Sequence, residues 1–70
     1  METPMEKKLR AHLFRAEAMM ALNDPEKQEE IRLSNRLRRE NNEPTMAEVA
    51  RPYQAEIGIT EEEMAILELE

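Results

Sequence analysis

Cysteine and tryptophan are absent from this 70-residue chain, and glycine, histidine, serine, phenylalanine and tyrosine occur once each. Without cysteine there are no disulfides and no thiolate metal sites. A single histidine, His12, argues against a zinc centre. Phe14 and Tyr53 are the only aromatic side chains, which removes most of the platforms on which single-stranded nucleic acid stacks. Gly58 stands alone, so there is no glycine loop to cradle a phosphate, and an architecture rich in β-turns is disfavoured. No apolar run approaches the roughly 20 residues that span a bilayer. The segment "AMMAL" (Ala18 to Leu22) is too short for a signal-peptide core, and Glu2, Glu6 and Glu17 argue against a transit peptide. The expected location is cytoplasmic, in the chain's own cell or in a host.

These absences bear on stability. A chain of this length buries only about 60% of its unfolded surface, and small folds add disulfides, a metal or a partner subunit. With the first two excluded, a single domain over residues 1–70 that forms a homodimer is the default expectation. Disorder is countered by a 40% hydrophobic content, much of it at helical spacing.

What is present is a series of helix starts. Thr-x-x-Glu occurs at Thr3–Glu6, Thr45–Glu48 and Thr60–Glu63. In such a box the threonine oxygen accepts from the third helical amide and the glutamate reaches back to the cap amide. Each box precedes an apolar periodic stretch. Pro4 occupies the favoured first helical position, and Asp24 followed by Pro25 marks a fourth start.

The first helix is expected over about Pro4 to Leu22, with Met5, Leu9, Leu13, Ala16 and Met20 forming one apolar stripe and His12 and Met19 at its edge. Ala11, Phe14, Ala18, Ala21 and Leu22 make a second, less regular band on the far side. A helix apolar on two faces sits between neighbours, and one neighbour is expected to be a second copy or a partner lying on this second band. The second helix, about Pro25 to Asn41, has only Ile31, Leu33 and Leu37 as apolar residues and should be the most exposed. "NNEP" (Asn41 to Pro44) stops it. The third helix begins after Thr45; Met46, Val49, Tyr53 and Ile57 stay in phase across Pro52, which predicts one helix kinked at Pro52 and closed by Gly58 in a left-handed cap. Glu61 to Glu70 is the last segment, docked by Met64, Ile66, Leu67 and Leu69, although "LELE" alternates like a strand. The fold class is all-α, a bundle of three to four short helices.

Charge is uneven. The net charge of −6 conceals a basic island of four arginines in Ile31 to Arg39 and a wholly acidic segment from Pro52 to Glu70. Arg32, Arg36 and Arg39 fall on one face of the second helix and Arg38 projects elsewhere. Arginine forks suit carboxylates and phosphates. Glu29–Arg32, Arg36–Glu40 and Arg39–Glu43 pairing along the helix is the plain alternative, at about 0.2–0.5 kcal/mol per pair. The acidic segment is expected to be a charged exterior that keeps the domain soluble; the alternatives are mimicry of a nucleic-acid surface or occupation of a basic groove on another protein, and contact with the arginine face of another subunit.

Catalysis draws little support. His12 and Ser34 are the only histidine and serine, and clustered exposed glutamates lack the burial that perturbs a catalytic pKa. No cofactor and no metal are expected. A helix-turn-helix over Met46 to Leu67 fails because Pro52 interrupts its first helix and Glu61, Glu62 and Glu63 would face the duplex. A membrane-surface helix is disfavoured because Lys7, Lys8, Arg10 and Arg15 are spread around the first helix.

The function expected is non-enzymatic. It is that of a small regulatory or adaptor protein, including the class of inhibitors of a host or cellular factor, acting through helix faces on another protein with an acidic patch. Arg32, Arg36 and Arg39 would orient the partner, and Phe14, Met19 and Leu22 would supply apolar contact. The competing expectation is a nucleic-acid-associated transcriptional regulator using Arg32, Arg36, Arg38 and Arg39. It is disfavoured by the acidic net charge, because duplex binding relies on many phosphate contacts.

Overall fold

In the computed structural model, which describes residues 1–70, Thr3, Asp24, Thr45 and Thr60 each stand immediately before a helix and cap it. Helix α1 runs Pro4–Ala21, α2 Pro25–Glu40 and α3 Met46–Ala50. A 3₁₀ turn, Arg51–Tyr53, leads into α4, Gln54–Ile57, and α5 covers Glu61–Leu67. There are no strands; the protein is a small all-α bundle.

All three Thr-x-x-Glu boxes are formed in both directions. At the first, the Glu6 amide donates to Thr3 Oγ1 at 3.1 Å and the Thr3 amide donates to Glu6 Oε1 at 3.1 Å. Asp24 caps α2 by accepting from the amides of Glu26 and Lys27, and Pro25 follows it in the first turn. The ends are equally local. Asn42 takes a left-handed conformation (φ 57°). The Asn42 amide then reaches the Arg39 carbonyl and the Glu43 amide the Arg38 carbonyl, which is a Schellman closure. The same device recurs at Gly58 (φ 69°), where the Ile59 amide donates to the Gln54 carbonyl at 3.0 Å.

The segment around Pro52 differs from the single kinked helix expected there. It consists of α3, the 3₁₀ turn and α4 in succession. Proline contributes no amide, so the α ladder stops at Ala50 and the turn tightens, with the Gln54 amide donating to the Arg51 carbonyl three residues back. The expected stripe is not the fully buried side of this segment. Met46, Val49, Tyr53 and Ile57 are all half-buried, while Ala47 and Ala50 are buried. The strand-like alternation at the C-terminus does not form a strand either; α5 extends through Leu67, with Met64 and Leu67 buried.

The core gathers Ala18, Ala47, Ala50, Ile59, Met64 and Leu67, with Phe14, Met46, Ile57 and Ile66 packed against it. Ala11, Ala21 and Ile31 are also buried. Helix α1 is the common support, since α2, the 3₁₀ turn, α4 and α5 all pack on it. They do so on its alanine side. Alanine lets helix axes approach closely, and several short elements can be accommodated on one helix only where the side chains are small. The Cα envelope measures 31 × 29 × 15 Å. A slab so thin covers one side of α1 and leaves the other to solvent.

Candidate interaction surface

That geometry reverses the expected roles of the two faces of α1. The irregular band, expected to meet a subunit or partner, receives the rest of the chain: Ala11, Ala18 and Ala21 are fully buried, and Phe14 packs on the core, its ring centroid 5.7 Å from that of Tyr53. The regular stripe, expected to be the core side, faces outward. Met5, Leu9, Leu13 and Met20 are 82%, 60%, 63% and 58% exposed, and Met19 at the border is 56% exposed. From Met5 to Met20 the stripe is about 22 Å long at 1.5 Å per residue.

Of the apolar residues expected to contact a partner, Met19 is therefore exposed, Phe14 is turned inward, and Leu22 is half-buried at the end of α1. Leu22 is held in the turn to α2, where the Gln28 side-chain amide donates to the carbonyls of Ala21 and Leu22 at 2.9 and 3.2 Å. The sequence signal for the exposed face was its regularity. A strict run of large side chains at spacings of four, four, three and four reads as core; only the fold shows that the smaller residues opposite take that role.

Helix α2 also carries an exposed apolar pair, Leu33 and Leu37. Its buried side is Ile31 and, one turn on, Asn35, which is fully buried. Asn35 joins three elements. Its amide nitrogen donates to the carbonyls of Leu67 and Leu69 at 2.9 and 2.6 Å, and its oxygen accepts from the Met46 amide at 2.9 Å. Sequence reasoning passed over it; the available signal was an asparagine, a weak helix former, standing one turn after the helix's most apolar residue.

The arginine island is divided by the fold. Arg32 Nε lies 3.8 Å from a Glu29 oxygen, as expected. Arg38 is half-buried and donates to the Pro44 carbonyl at 3.4 Å. Arg39 does not pair with Glu43; it binds Glu70 and lies 3.5 Å from Glu48, so the acidic C-terminus folds back onto α2 of its own chain. Glu70, by hydrogen bond and by charge, shifts the Arg39 guanidinium further toward its charged form. Arg36 has no ion pair, the expected Glu40 contact included, and is exposed beside Leu37.

A second ion pair stitches α1 to α5. Arg15 Nε donates to Glu63 Oε2 at 3.1 Å, and Glu63 is one of three buried polar residues. The Thr60 amide holds the Glu63 carboxyl below its ordinary value, burial works against this, and Arg15 adds to it. At the other end of α1, Glu2 binds Arg10 at 2.7 Å and accepts from the Tyr53 hydroxyl at 3.2 Å.

Chemically reactive groups are not gathered. His12 is exposed on α1, and Ser34 is half-buried on α2. No group of three histidine, aspartate or glutamate side chains is placed to hold a metal ion, and no helix is long and apolar enough to cross a membrane. The four surface depressions are lined by at most two hydrophobic side chains each; one of them lies between Glu6, Leu9, Arg10 and Leu13 on the outer face of α1. No protein-family model, no curated protein and no solved structure matches the chain.

Proposed function

We propose that this is a small non-enzymatic adaptor or regulator that works in the cytoplasm by binding other proteins through two helix faces. One is the outer face of α1 (Met5, Leu9, Leu13, Met19 and Met20). The other is the outer face of α2, where Leu33, Arg36 and Leu37 lie together. The observation that carries this is the exposure of the most regular apolar stripe in the sequence. Fully burying a leucine or methionine side chain contributes about 1.5–3 kcal/mol, against about 0–1 kcal/mol for an exposed ion pair. The outer face of α1 is thus the largest unrealised source of binding free energy on the molecule. Contiguous exposed apolar surface on a small protein marks interaction sites, and methionine adapts to irregular partners.

On α2 the apolar pair provides contact and Arg36, the arginine of the island with no internal partner, supplies a fork for an acidic group on the partner. Arg32 and Arg39 already spend contacts on Glu29 and on Glu48 and Glu70, so Arg36 is the one that offers its whole fork. A factor that masks another protein's helix-binding groove fits this description, which includes inhibitors.

The test is affinity capture from the native cell with wild-type protein, with Leu9→Glu/Leu13→Glu, with Leu33→Glu/Leu37→Glu and with Arg36→Gln. Each helix-face pair of substitutions should remove a distinct set of captured proteins, and Arg36→Gln should weaken the α2 set. Identical capture by all four would end this account. Binding to duplex DNA that falls steeply between about 50 and 200 mM salt would redirect it to nucleic acid.

A further inference from the structure

We infer that the outer face of α1 is a self-association surface, on which a second copy of the chain lays its own α1 antiparallel. This rests on the protein-binding reading and names the occupant of one of its two faces, leaving α2 for a different protein.

The spacing Leu9, Leu13, Ala16, Met20 alternates four, three and four, which is the seam of paired helices. Two borders flank it. Arg10 and Glu17 lie on one side; Met5, His12 and Met19 lie on the other. In a pair related by a two-fold axis the same patch meets itself, and in the antiparallel sense each border meets the equivalent border of the second copy. One register sets Leu13 against Ala16 of the second copy and Leu9 against Met20 of the second copy. Large then meets small at the centre. In that register Arg10 faces Glu17 of the second copy, and the two-fold axis repeats the pair. The opposite border brings His12 to Met19 of the second copy, with no like charges opposed. Sliding the helices by one heptad toward their N-termini sets Arg10 against itself. A parallel pair sets the Arg10–Glu17 border against the His12–Met19 border and forms no ion pair. Border charges select orientation in this way in paired helices, and here they select the antiparallel register.

The groups this register uses are available. Glu17 has no ion-pair partner within the chain. Arg10 is 62% exposed and spends one contact on Glu2, which leaves other donors of its five-donor fork free. The face itself is open along its length, because every packed element lies on the other side of α1.

Sedimentation velocity on the full chain tests this. Wild type should be a dimer at tens of micromolar. R10E and E17R should each weaken association by about tenfold or more, since each turns both symmetric pairs repulsive. The doubly reversed variant R10E/E17R restores opposite charges across the two-fold axis and should recover to within about threefold of wild type. E2Q removes the internal partner of Arg10 and should leave association unchanged. Far-UV circular dichroism of every variant should match wild type, which separates lost association from lost folding. A wild-type chain that stays monomeric at hundreds of micromolar overturns the inference, as does a dimer in which the double reversal is no better than the single ones. If the chain is monomeric but Leu9→Glu/Leu13→Glu still abolishes capture of another protein, self-association alone fails and the protein-binding reading stands.

Discussion

The two faces of α1 are made of different material and do different work. The inner face is alanine-rich and irregular, and four elements of the chain rest on it. The outer face is regular, built from leucine and methionine, and nothing in the chain covers it. Hydrophobicity ranks the outer face first, while packing geometry chooses the inner one. With a 3₁₀ turn and helices of only four and seven residues, α4 and α5, crowding onto one support beside α2, close approach matters more than the transfer free energy of each side chain. Only 12 of the 70 residues are buried, so stability leans on capping, on Asn35 and on the Arg15–Glu63 pair as well as on the core.

The largest effect that would break this contrast is a charge on the inner face. Ala18→Glu places a carboxylate where no space or partner exists and should abolish cooperative unfolding, a loss above about 4 kcal/mol. Next comes Asn35→Ala, which strips partners from the Met46 amide and from two α5-end carbonyls. Each buried orphan costs about 1–3 kcal/mol, and a partial relaxation to solvent at Leu69 suggests a total of about 2–4 kcal/mol in urea denaturation.

A smaller, pH-dependent effect sharpens the same comparison. Glu63 is the inward-facing carboxylate, and its folded-state value is lowered by the Thr60 amide first and by Arg15. A lowered value means stability that is present above the ordinary carboxylate range, about 4.3 for glutamate, and lost as pH falls through the folded-state value. Glu63→Gln keeps the capping geometry but not the charge. It should cost about 1 kcal/mol at neutral pH and flatten the drop in thermal midpoint between about pH 5 and 3.

Much of the fold was legible locally. Thr3, Thr45, Thr60 and Asp24 announce their helices through short-range hydrogen bonds that depend on few residues, and Gly58 announces its turn through backbone freedom. The break at Pro52 was legible as a proline but not as a 3₁₀ turn, because the choice between kink and turn is made by what packs on either side. The candidate surface was legible only as an apolar stripe. Which of two bands on one helix turns inward depends on how many elements must share it, and no periodicity encodes that. The same holds for the arginine island: spacing along α2 offers Glu40 and Glu43, whereas Arg39 binds Glu48 and Glu70, which arrive from α3 and from beyond α5.

The most direct test of the two-faced helix is urea unfolding of a variant in which Leu9, Leu13 and Met20 are all replaced by glutamine, followed by circular dichroism at low protein concentration, where association does not contribute. Glutamine preserves helix propensity. With the outer face outside the core, the variant should keep the wild-type helical signal and a cooperative transition within about 0.5 kcal/mol of wild type. Loss of several kcal/mol, or of the helical signal, would mean that those side chains hold the monomer together and would contradict the account.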